Sequence, residues 1–197
     1  RVGSESRPAS FSFDRLFWDP GLGCLYDVID ADHISGRTDS RVRPNQVFAV
    51  GGLPFQLAHG EAANALVETL ERTLLTPMGL RSLSPDDPEY RGRYEGPQAD
   101  RDRAYHQGTC WPWLMGPFVE AWLRVRNFSA DARKEARSRF LAPLDQYVQG
   151  IGAGHLCEIA DGDYPHTPRG CPFQAWSLGE FIRSKAMCDH GMGPVRP

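Results

Sequence analysis

Two absences narrow the reading first: the chain is almost without lysine, and it has no long apolar run. Lysine occurs only at 134 and 185, so basic charge is carried by arginine, a bias with no functional reading attached. Acids alternate with arginines and the formal net charge is −3, which leaves no basic stripe of the kind that binds nucleic acid. The longest apolar runs fall far short of the roughly 20 residues that a membrane-crossing helix needs, so no membrane partner is expected. No charged-then-apolar signal peptide opens the chain, and the start on Arg1 leads us to expect sequence upstream of it. The five cysteines, at 24, 110, 157, 171 and 188, form no C-x-x-C pair and are odd in number. That argues against a zinc site or a disulfide framework and makes a reducing cytoplasm the expected compartment. H-E-x-x-H helices, G-x-S-x-G elbows and strong fixed-period repeats are missing too. No cofactor or metal is implied.

What is present is ordinary in bulk. The 197 residues, 41% hydrophobic and 24% charged, suit one soluble domain or a piece of a larger one, with enough chain to bury a core. Apolar spacing predicts helices over about 9–18, 45–58, 61–75, 112–126, 129–149 and 174–185, with a short strand near 25–29. The clearest is 61–75, where Leu66, Val67, Leu70 and Leu74 share one face. Ser129 is a credible N-cap, whereas Pro117 and Pro143 predict kinks or late helix starts. Residues 30–43, 80–108 and 150–173 read as loops, two of them long enough to suggest function. The expected fold is therefore all-α, with about six helices carrying long loops.

The unusual residues sit in two stretches. Residues 105–113 read YHQGTCWPW and residues 155–176 read HLCEIADGDYPHTPRGCPFQAW. Tryptophans, amides, an acid and an arginine on Gly/Pro-shaped backbone are the chemistry of a sugar pocket. Tyr105, Trp111, Trp113 and Trp176 are either plain core or the floor under a pyranose ring. Gln107 and Gln174 offer both donor and acceptor, and Arg43, Asn45 and Gln46 open a helix at the loop rim. Glu158, between Cys157 and Ile159, is either a partly desolvated acid/base carboxylate or a loop cap paired with Arg169. Asp161-Gly162-Asp163 has its glycine too early for a calcium loop and reads as turn-forming aspartates. His106 and His166 read as structural or substrate-orienting, and Cys110, Cys157 and Cys171 as small buried fillers.

RPNQ at 43–46, GLRSLSPDDPEYRGRYEGPQADRDRAYHQGTCWPW at 79–113 and EIADGDYPHTPRGCPFQAWS at 158–177 together resemble the amylo-α-1,6-glucosidase domain of glycogen debranching enzymes. The resemblance runs from about Phe17 to Arg183. It implies an (α/α)6 toroid and inverting hydrolysis of α-1,6 branch linkages in glycogen-like glucans by two carboxylic acids. By the resemblance Glu158 matches the general base. Tyr105, His106, Gln107, Trp111, Arg43, Asn45, Asp27, Arg169 and Gln174 match a glucose subsite, and the substrate partner is glycogen or a branched α-glucan. None of the acids here sits in a motif matching the family's general acid, and about six helices are half of the expected twelve. Residues 1–185 are accordingly expected to form the C-terminal half of the toroid, with a poorly ordered tail at 186–197 and the N-terminal half of the same enzyme as partner. The alternatives are a non-catalytic glucan-binding or assembly fragment lacking the acid, or another inverting glucosidase of the same fold, such as a trehalase-like one.

Overall fold

The computed structural model describes residues 12, 13 and 15–190. Most of the helix expected over 9–18 lies there: residues 15–17 are helical, while residues 9–11 and 14 lie outside the described residues. The chain then makes two small antiparallel hairpins. Strand β1 (Trp18–Asp19) pairs with β2 (Cys24–Leu25), and β3 (Val28–Ile29) pairs with β4 (Thr38–Asp39). The single strand expected at 25–29 is thus split between two pairs.

The expectation of an all-α fold is overturned by a five-stranded antiparallel sheet of order β5-β6-β7-β8-β9. Its strands are β5 (Leu75–Thr76), β6 (Gly79–Arg81), β7 (Cys110–Trp111), β8 (Ile159–Ala160) and β9 (Pro168–Arg169). Each is two or three residues long. Period-two alternation needs about four residues to show, so these strands were hidden inside stretches that read as loops or helix ends. The register sets Leu80 opposite Trp111, Cys110 opposite Ala160 and Ile159 opposite Arg169. Strand β6 lies so close to β7 that a Cβ at Gly79, which also has φ +145, would collide with the Trp111 carbonyl.

Around the sheet pack six described α-helices: α1 (Gly60–Thr73), α2 (Gln98–Ala104), α3 (Met115–Arg124), α4 (Ala130–Ala136), α5 (Ala142–Gln149) and α6 (Ala175–His190). The helix expected over 45–58 shrinks to a 3-10 turn, Pro44–Ala49. Beyond it, Gly51 lies against the Pro117 carbonyl and the Ala121 backbone of α3, too close for any side chain. Pro117 sits in the first turn of α3, where a missing N–H costs nothing. The expected 129–149 helix stays helical over residues 130–149, but just before Pro143 a π turn at Arg137–Leu141 lies between α4 and α5, the usual local remedy for a disturbed hydrogen-bond ladder. Ser129 caps α4 as expected, its Oγ accepting from the Ala132 N–H at 3.3 Å.

Helix α6 runs past Lys185 to His190, with Met187 and Cys188 buried; the remainder of the expected tail, 191–197, lies outside the described residues. Leu66 and Leu70 of α1, Leu80 of β6, Phe118 and Trp122 of α3, Leu144 of α5 and Ile159 of β8 share one buried core. That core joins the sheet to the helices, so the loops around the strand ends are held by a rigid base. Among the described residues no helix is long and apolar enough to cross a membrane.

Candidate functional site

The hairpin β3–β4, the 3-10 turn at Pro44–Ala49 and the loops flanking β6 and β7 enclose a cleft of about 820 Å³. Pro44 fixes the first position of the 3-10 turn, leaving Arg43 extended at its N-terminus (φ −122, ψ 157). From there the guanidinium ties the cleft together. It donates to the Ser82 carbonyl at 3.1 Å, the His106 carbonyl at 2.7 Å and Gln107 Oε1 at 2.6 Å. Its Nε lies 3.4 Å from Asp27 Oδ2, and Asn45 donates to the other oxygen of Asp27 at 3.3 Å. Three separated segments are thereby tied to one planar cation, which suits a rigid polar rim better than a mobile one.

The apolar side is aromatic. The His106 and Trp111 rings lie parallel with centroids 5.4 Å apart, and Trp176 meets both Trp111 and Trp113 at 6.4 and 5.9 Å. Partial burial of the His106 imidazole, and then the Arg43 charge, hold it below the usual histidine range. Although His106 is exposed as a residue, its ring face is covered by Trp111. A neutral His106 can both donate and accept, which suits a hydroxyl-rich ligand.

Of the site residues expected from sequence, Asp27, Arg43, Asn45, His106, Gln107 and Trp111 line this cleft. Asp39, Arg41 and Ser82 join them and were missed. Asp39 comes in through the β3–β4 register, which no local motif announces, and Arg41 follows it two residues beyond the strand. Tyr105, Glu158, Arg169 and Gln174 lie outside the lining. Gln174 leads into α6, with its N–H on the Leu156 carbonyl at 2.8 Å.

Glu158 stands just before β8. Its Oε1 accepts from the Tyr105 hydroxyl at 2.7 Å and its Oε2 from the Cys171 N–H at 3.0 Å. The Tyr105 ring in turn packs edge-on to both His106 and Trp111, each at 4.8 Å. Burial, and then the neighbouring Glu158 carboxylate, push the Tyr105 hydroxyl well above the usual tyrosine range, so it remains a donor. Arg169 does not pair with Glu158. It bonds instead to Asp161, with Nη2 3.0 Å from Oδ2 and Nε 3.2 Å from both oxygens. Asp161 is fully buried and also accepts from the Tyr94 N–H at 2.8 Å, so the aspartate is a structural anchor rather than a sugar contact. Among the described residues, no cation forms an ion pair with Glu158. A carboxylate offers about four lone-pair sites, and two remain beyond the two donors.

A family model described as amylo-alpha-1,6-glucosidase matches residues 5–183. A glycogen debranching enzyme from Saccharomyces cerevisiae is 30% identical over 158 residues, covering 71% of this chain and 10% of that protein. The chain thus spans about a tenth of the length of that curated relative.

Proposed function

Because this chain belongs to the amylo-alpha-1,6-glucosidase family, we propose that it contributes to hydrolysis of α-1,6-linked glucose in branched α-glucans, with Glu158 as the general base. The observation that carries this reading is the state of Glu158: a carboxylate oriented by two uncharged donors and, among the described residues, without a neutralising cation. Such a group keeps the acceptor capacity needed to take a proton from water. Gly170 and Cys171 beside it are exposed, so solvent has access. The cleft supplies the recognition. An apolar pyranose face rests on Trp111, Trp113 and Trp176 while Asp27, Asn45, Gln107 and His106 meet the hydroxyls.

In an inverting reaction, water attacks the anomeric carbon from the face opposite the departing oxygen. Glu158 removes the water's proton as the new bond forms, and a second carboxylic acid protonates the leaving oxygen. Five free cysteines are consistent with work in a reducing cytoplasm.

The test is glucose release from a branched limit dextrin by a longer polypeptide containing this chain, with the product followed by proton NMR before mutarotation. The reading predicts that β-glucose appears first. Initial α-glucose would mean retention and would remove the water-activating role from Glu158. A second reading, a non-catalytic glucan-binding module, draws support from Glu158 lying outside the cleft lining. Saturable binding of oligosaccharide with no glucose release would favour it.

A further inference from the structure

We propose that Tyr105 is a positioning residue for Glu158 rather than a sugar contact, its hydroxyl forming one arm of a two-point clamp whose other arm is the Cys171 N–H; this rests on the reading of Glu158 as general base. The resemblance alone groups Tyr105 with the glucose subsite. The geometry places its hydroxyl on Glu158 Oε1 at 2.7 Å and leaves Tyr105 outside the cleft lining.

Each carboxylate oxygen has its own donor, so rotation of the terminal torsion would break one bond or the other. The second arm is itself anchored, because the Glu158 N–H donates to the Cys171 carbonyl at 2.8 Å while the Cys171 N–H returns to Oε2 at 3.0 Å. Gly170 completes the clamp: it has φ +66, and a Cβ there would run into Glu158 Oε2 and come within 3.2 Å of Glu158 Cβ. The Tyr105 end is no looser. Its carbonyl accepts from Thr109 Oγ1 at 2.7 Å and from the Trp111 indole N–H at 3.2 Å, and its ring is flanked by His106, Trp111 and Tyr94. The same tryptophan that lines the sugar cleft therefore fixes the tyrosine that aims the base. A displacement of about 1 Å in a reacting group can cost about 10²-fold in rate, which sets the value of such a device.

Tyr105→Phe keeps the ring and removes only the hydroxyl. In a longer polypeptide that contains this chain, glucose release from a branched limit dextrin should fall about 10²-fold in kcat, with KM and oligosaccharide affinity unchanged. In a Glu158→Gln background the same substitution should cost nothing further, because it acts through the group already removed. Gly170→Ala, pushing on the other oxygen, should reproduce the kcat loss with affinity kept. A raised KM at unchanged kcat in Tyr105→Phe would return the residue to the sugar, and an undiminished kcat would show the clamp to be dispensable. Either result overturns the inference while leaving the base assignment standing, provided Glu158→Gln is inactive. An active Glu158→Gln would overturn both.

Discussion

Glu158→Gln is expected to lower turnover of a branched limit dextrin by about 10²–10⁴-fold, the usual worth of a positioned general base, while sugar affinity stays as it was. The substitution is nearly isosteric. It preserves an oxygen to accept from the Tyr105 hydroxyl, which lies 2.7 Å away in the parent, so the aromatic wall keeps its arrangement. The amide can no longer take a proton from water; its NH2 also replaces the oxygen that accepts from the Cys171 N–H, so the side chain keeps only its Tyr105 arm. Binding should survive because the cleft residues Asp27, Asn45, Gln107, His106 and Trp111 are untouched. A large rise in KM with kcat intact would make Glu158 a ligand contact rather than a base.

The second large effect is expected far from the sugar. Glu120 on α3 is only 4% exposed. It accepts from Arg124 at 2.6 Å within its own helix and from Arg183 of α6 at 2.6 Å, while Arg183 also holds Glu180 at 2.8 Å. Glu120→Ala leaves two guanidinium groups facing the cavity it vacates. Removing one partner from a buried ion pair typically costs about 3–5 kcal/mol. The lower end is expected here, because Arg124 retains the Val50 carbonyl at 2.7 Å and Arg183 retains Glu180. Denaturant unfolding would measure the loss. Trp176 stands at the head of α6 and lines the cleft, so the same variant should also weaken oligosaccharide binding. A stability change under about 1 kcal/mol would show instead that the network is screened like an exposed pair.

Helix positions were legible where burial follows a 3.6-residue period, as at Leu66, Val67, Leu70 and Leu74, and where a cap is chemically distinct, as at Ser129. The sheet was not legible. A two-residue strand such as β7 carries no alternation, and what defines it is pairing with Leu80 on one side and Ala160 on the other, across long sequence separations. The toroid expected from the resemblance failed with the all-α class, for want of any local signal that could have announced these ladders.

At the site, residue types pointed to the right stretches but not to each partner. Residue type alone allows Arg169 as the partner of Glu158, yet the β8–β9 register sets it opposite Ile159, and it pairs with the buried Asp161. Tyr105 has a motif neighbour in His106, but only side-chain direction separates a cleft residue from one facing Glu158. Asp39, Arg41 and Ser82 enter the cleft through hairpin and loop placement rather than through motif spacing.

The most direct test of the central claim is chemical rescue of Glu158→Ala, again in a longer polypeptide containing this chain. Azide needs no base, so it can attack the anomeric carbon from the face that water would use, while the leaving oxygen takes its proton from the acid. The account predicts that added azide restores turnover of an α-glucosyl substrate and yields the β-glucosyl azide. An inactive variant that azide leaves inactive, or an α-glucosyl azide as product, would contradict it.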